Sequence, residues 1–242
     1  MKRFWTDVSV APEIEGLGIA LDGRPVRTPG RTPLLLPTPA LAEAVAEEWR
    51  SVGDTLDPRA MPLTGLANAA IDRIAPAREA FASGLSAYAA SDLLCYRADG
   101  PEPLVLRQRA AWDPLLDWAR GRYDVHFELA DGVMPRSQPE PTLARLAEAV
   151  AALDPWQLAG LSPVVTISGS VIAALALVEG AASVEQVWAA GQVDEDWQVE
   201  QWGEDPLAEQ ARVARRRDFD AGARFLALLS GSGARPAHEI DR

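Results

Sequence analysis

Leu34-Leu-Leu-Pro-Thr-Pro-Ala-Leu-Ala-Glu-Ala-Val-Ala-Glu-Glu-Trp49 holds a strand, a helix and the switch between them. The three leucines between Pro33 and Pro37 read as a short buried strand. Thr38 then offers a side-chain oxygen as a helix cap, and Pro39 follows where its missing N–H is no loss. Leu41, Val45, Trp49 and Val52 recur on one helical face, and Gly53 predicts the end of the helix. Upstream, residues 5–10 alternate in a strand-like way, as do Leu17, Ile19 and Leu21. Asp22-Gly23 is a tight-hairpin signal, and Pro25-Val-Arg-Thr28 leads back. This first third is mixed strand and helix.

Beyond about residue 76 strand signals thin out. Helices are predicted over residues 63–74, 77–90, 104–112, from Asp113-Pro114 onward, and over 142–153, 163–178, 183–190 and 207–229, with one lone strand over 125–129. The predicted fold class is α+β. A small mixed α/β N-terminal domain spans residues 1–80, an all-helical, orthogonal bundle-like C-terminal domain spans 81–230, and a flexible tail covers 231–242.

Charge and rare residues exclude several functions. The 242 residues carry a net charge of −12, which argues against nucleic acid and anionic lipid as partners. There is one Lys, Lys2, against 22 Arg. No Gly-Lys-Ser/Thr ending for a phosphate loop exists, and a Schiff-base lysine would have to be Lys2. Two His and one Cys leave no recognisable zinc spacing and no intramolecular disulfide. No bound metal or nucleotide is expected. Residues 155–178 lack charge, but Gly160, Ser162, Pro163 and Gly169 interrupt them, so a buried core helix is expected there rather than a membrane span.

The stretch Ser183 to Gln210 carries eight carboxylates and no Lys or Arg, together with Trp188, Trp197 and Trp202. Uncompensated like charges repel, and Trp beside charge is the composition of a binding hot spot. A solvated acidic helix face, or internal pairing with Arg212, Arg215, Arg216 and Arg217, accounts for the same residues. Asn68 and Asp72 read as a hydrogen-bonded brace between the two domains. Cys95 and His126 read as structural residues rather than a catalytic pair. Ser168-Gly-Ser170 is not a nucleophile elbow, and Gly16-Leu-Gly18 is not a dinucleotide loop. Asp92 and Asp113 have the chemistry for acid–base work, but nothing in the sequence brings them together.

Six segments resemble one family: Lys2-Arg-Phe-Trp-Thr-Asp-Val8, Leu21-Asp-Gly-Arg-Pro-Val-Arg-Thr-Pro29, Met61-Pro-Leu-Thr-Gly-Leu-Ala-Asn68, Ser91-Asp-Leu-Leu-Cys-Tyr-Arg97, Trp112-Asp-Pro-Leu-Leu-Asp-Trp118 and Asp194-Glu-Asp-Trp-Gln-Val-Glu-Gln-Trp-Gly-Glu-Asp205. This is the family of mitochondrial and bacterial assembly chaperones specific for the alpha subunit of the ATP synthase catalytic head. The likeness runs in order from residue 2 to about residue 229. Gly65 departs from it, standing where an Arg or similar residue is expected.

The resemblance implies a mixed N-terminal domain, a helical C-terminal bundle, binding to unassembled alpha subunit, and release as the beta subunit arrives. It implies a need for an acid within Asp194-Glu-Asp196, carried here to Glu195 first. The expected client-binding residues are Glu195, Asp194, Asp196, Trp197, Trp202 and Glu204. No catalytic residue, cofactor, metal or small-molecule substrate is expected. With no transit segment before the family start, a bacterial, cytoplasmic setting is expected. The alternative is a small-molecule enzyme with a carboxylate-lined cleft between the two domains.

Overall fold

Strands β1 (Val8–Glu13) and β2 (Gly16–Leu21) pair antiparallel with Val8 opposite Leu21. β2 also pairs with β3 (Arg24–Pro25) and β4 (Leu35–Leu36), which completes a four-stranded sheet. Asp22 and Gly23 both have positive φ, 47° and 75°, the backbone that a two-residue hairpin needs. The Asp22 carboxylate accepts from the amides of Asp7, at 2.8 Å, and Thr6, at 3.0 Å. The amides of Asp7 and Thr6 hold its pKa below the usual carboxylate value. These coordinates are a computed structural model of the chain, and the structure describes residues 2–132 and 136–230. The expected tail over 231–242 lies outside the described residues.

Helix α1 (Pro39–Arg50) packs on β1 and β2 through Leu41, Val45 and Trp49, all buried. Thr38 caps it as expected, accepting from the Leu41 amide. The same hydroxyl donates to the Leu228 carbonyl at 2.8 Å. α1 ends before Gly53, with Ser51 as its C-cap. Helix α2 (Pro62–Ala69) has no side-chain cap of its own. Glu48 of α1 takes that role from outside, accepting from the Leu63 and Thr64 amides at 2.8 Å each and from the Thr64 hydroxyl at 2.7 Å. Glu48→Ala removes all three and is expected to destabilise the protein by about 2–3 kcal/mol in denaturant titration. The expected brace between domains is corrected at Asp72. Its carboxylate accepts from the Thr28 hydroxyl, at 2.7 Å, and the Gly30 amide, at 2.8 Å, both within the same unit.

The described residues divide into two compact units, the first holding 2–76, Pro155–Gly160 and 224–230, and the second those within Ala77–Asp154 and Leu161–Ala223. In the second, α3 (Arg78–Ser86) packs on α5 (Glu140–Ala151), while α4 (Glu102–Tyr123) packs on α7 (Val171–Val178) and α8 (Val184–Trp202). Helices α6 (Pro155–Ser168) and α9 (Pro206–Leu229) have residues in both units. A sheet in the first third followed by helices is α+β, as expected.

Four expectations need correction. Residues 125–129 form no strand. Instead β5 (Tyr96–Arg97) and β6 (Ala130–Asp131) pair parallel, so the expected single strand in this part is a pair of two-residue strands. Asp113-Pro114 starts no new helix, because α4 runs through Pro114. A buried face of Gln108, Trp112, Leu115, Leu116 and Ala119 on one continuous helix outweighs the ~3 kcal/mol that an interior proline costs. The apolar segment 163–178 is not one helix. α6 starts earlier, at Pro155, and Gly169, at φ 70°, separates it from α7. Finally, α8 does not stop at Ala190 but continues to Trp202 through the acidic stretch.

Candidate functional site

A capping box starts α8: the Ser183 hydroxyl accepts from the Gln186 amide, and the Gln186 side chain accepts from the Ser183 amide. Its first turns are core. Trp188 packs edge-on against Phe219 of α9, with ring centroids 5.3 Å apart, under the Arg216 guanidinium. From Asp194 onward the helix carries its acids into a half-exposed surface.

Those acids are not uncompensated. Glu195 accepts two bonds from Arg215, at 2.6 and 2.8 Å, and Asp196 pairs with Arg212 at 2.6 Å. Glu185 pairs with Arg216, which also grips Asp220 at 2.9 Å. Arg107 of α4 reaches Glu200 at 2.6 Å and lies over the Trp197 ring, 5.0 Å from its centroid. The Arg216 and Arg107 hydrogen bonds hold Glu185 and Glu200, respectively, below the ordinary glutamate pKa. Asp194 accepts from the buried Gln108 amide at 2.7 Å, and Gln108 in turn accepts from the Ala98 amide at 2.8 Å. Internal pairing, one of the two readings of this stretch, therefore accounts for much of the charge. The repulsion expected of uncompensated like charges is therefore largely relieved within the chain.

The six expected site residues thus fall into two groups. Asp194, Glu195, Asp196 and Trp197 sit on the last turns of α8 with partners inside the chain. Trp202 and Glu204 lie at the turn into α9, where Trp202 is 79% exposed and Glu204 has no ion-pair partner among the described residues. Sequence reasoning passed over Leu207, which is 74% exposed at the start of α9, five residues after Trp202. The carboxylate of Asp205 accepts from the Leu207 amide at 2.8 Å and so caps α9. Two large apolar side chains therefore stand in solvent beside Glu204, Asp205 and Glu209. An exposed aromatic and an exposed aliphatic side chain on one short segment that also carries carboxylates suit a protein partner with apolar and basic side chains.

The carboxylates available to an enzyme are engaged elsewhere. Asp113 pairs with Arg97 at 2.7 Å. Asp92 is fully buried and accepts from the Leu94 and Ile172 amides at 3.1 Å each. Burial pushes its pKa up to about 6, against the lowering effect of the Ser170 hydroxyl and the neighbouring amides. Cys95 is buried, and burial pushes its thiol up to about 12, which makes it a core residue rather than a nucleophile. The His126 ring is exposed, 3.5 Å from Glu128, and Thr142 holds only its backbone. Among the described residues no three His, Cys, Asp or Glu side chains gather as a metal site, and no helix is long and apolar enough to cross a membrane.

Comparison with known proteins places the chain in a family. The family described as ATP12 chaperone protein matches residues 2–120. Over 214 residues the chain is 24% identical to the mitochondrial protein atp12 of Schizosaccharomyces pombe, covering 84% of this chain and 74% of that one. It is 43% identical to the crystal structure of Atp12 from Paracoccus denitrificans, with a TM-score of 0.90 over 94% of this chain and 98% of the other. A point variant of that Paracoccus protein matches with the same identity and TM-score, over 94% and 97% of the two chains. The chain belongs to the ATP12 family of chaperones, which act in ATP synthase assembly.

Proposed function

We propose that this chaperone binds the unassembled alpha subunit of the ATP synthase catalytic head, in the bacterial cytoplasm and without catalysing a reaction. It keeps that subunit from aggregating and yields it to the beta subunit. The observation that supports this reading is the exposed Trp202 and Leu207 beside uncovered carboxylates at the turn from α8 to α9. An orphan subunit exposes surface meant for its neighbour, and such surface aggregates. A holder that works by mass action needs an apolar anchor and a charge match. Its own affinity must be modest enough for the final partner to win. Glu195, Asp194, Asp196, Trp197, Trp202 and Glu204 are the proposed client-facing residues, with Leu207 added.

Co-expression with the alpha subunit tests this. The alpha subunit is expected to stay soluble and to co-purify with the chaperone, and added beta subunit is expected to displace the chaperone. An alpha subunit that aggregates equally with and without the chaperone would refute the proposal. Trp202→Ala truncates the exposed anchor without touching the core. It is expected to weaken client capture at least tenfold, with the thermal midpoint unchanged.

A further inference from the structure

An open groove of about 580 Å³ lies along α8, lined by Gln192, Glu195, Val199, Trp202, Asp205 and Arg215 among others. Gln192 is only 3% exposed, yet its Oε1 has no hydrogen-bond partner among the described residues. Its amide nitrogen donates to the Gly191 carbonyl at 3.0 Å, so the oxygen is left as an acceptor in want of a donor. One turn along lies the Glu195 carboxylate, and Asp205 adds a third acceptor group. The groove therefore offers acceptors and apolar walls. Its one lining cation, Arg215, already doubly donates to Glu195. That pair is partly open to solvent, with side chains 40% and 32% exposed, so it can be exchanged.

Resting on the client-binding reading, we infer that the groove receives one arginine side chain of the client, flanked by an apolar residue, and that Arg215 stands in for it in the free chaperone. A guanidinium carries five N–H donors in a planar fork. As Arg215 gives way, the client's guanidinium can take over the Glu195 carboxylate and uncover the buried Gln192 oxygen as a second acceptor, while its aliphatic neighbour rests on Val199 and Trp202. The volume suits a side chain with its adjoining backbone better than a lone ion. Arg215 is then an internal competitor, which keeps Glu195 paired until the client arrives and favours release afterwards.

Two variants and a pair of peptides test this. The readouts are the chaperone concentration that halves light scattering by diluted alpha subunit, and the Gln192 side-chain amide signal in nitrogen-15 NMR. Gln192→Leu removes an unsatisfied buried acceptor, so the thermal midpoint is expected to hold or rise while the half-effective concentration increases about tenfold. Arg215→Gln removes the competitor and is expected to lower that concentration several-fold. The peptide acetyl-Leu-Arg-Leu-amide is expected to shift the Gln192 signal, and its citrulline counterpart to leave it in place. The inference is overturned if both variants hold the alpha subunit as the natural chain does, or if the two peptides act alike. An arginine peptide that binds while the natural chain fails to hold the alpha subunit would retain the groove and sink the proposed client instead.

Discussion

Glu195→Lys is expected to abolish retention of co-expressed alpha subunit in the soluble fraction, while the thermal midpoint falls by only a few degrees. Glu195 is a partner of Arg215, so a lysine there loses two hydrogen bonds and faces a guanidinium. Pairs this exposed contribute about 0–1 kcal/mol to stability, which leaves the fold intact. The loss of function would come from reversing the charge that meets the client, where a mismatched pair costs several kcal/mol. A charge swap separates the two roles. Glu195→Arg combined with Arg215→Glu restores the internal pair and is expected to restore the thermal midpoint but not retention. If the swap restores both, Glu195 matters only as Arg215's partner, and its place in the client site is wrong.

Asp92→Ala is expected to have the largest effect on stability, about 3–5 kcal/mol at neutral pH. The Asp92 carboxylate caps the short turn at Leu93–Cys95 through the Leu94 amide and meets the start of α7 through the Ile172 amide. Alanine would leave those donors buried without the carboxylate, in a site that is 0% exposed in the natural chain. The same group gives a pH signature. Its folded pKa, about 6, lies above the ordinary value of 3.8. The folded state therefore binds more protons than the unfolded state between those values. The part of Asp92's contribution that depends on its proton is fully present below about pH 4 and is lost as pH rises through about 6, while the hydrogen bonds it accepts from the Leu94 and Ile172 amides persist. At about 1.4 kcal/mol per pKa unit, ~3 kcal/mol is at stake. Asp92→Asn cannot ionise, so its stability should lack that decline between pH 4 and 6. A variant whose stability still declines there as the natural chain's does would show that another group titrates.

By itself the sequence determined whatever its near neighbours make. The Thr38-Pro39 start of α1, the Asp22-Gly23 turn and the long C-terminal helix lie where they were read, because caps, tight turns and helical periodicity involve residues a few positions apart. The absence of a phosphate-loop motif and the concentration of acids between 183 and 210 were equally plain. Tertiary structure decided where helices run on and which charges meet. α4 crosses Pro114 because Trp112 and Leu116 are buried on one continuous face, and α8 runs past Ala190 along α4, where Trp112, 78 residues away, donates to the Ala190 carbonyl at 2.7 Å. The acids looked unbalanced only while Arg107, Arg212, Arg215 and Arg216 were distant in the chain; packing brings each to a carboxylate. Asp92 gave no sign of its role, since one of its donors lies 80 residues on, and Gln192 shows its unmet oxygen only once neighbouring helices exclude water. Burial and charge pairing depend on which distant segments meet, and that is settled by the free energy of the whole fold rather than by any window of sequence.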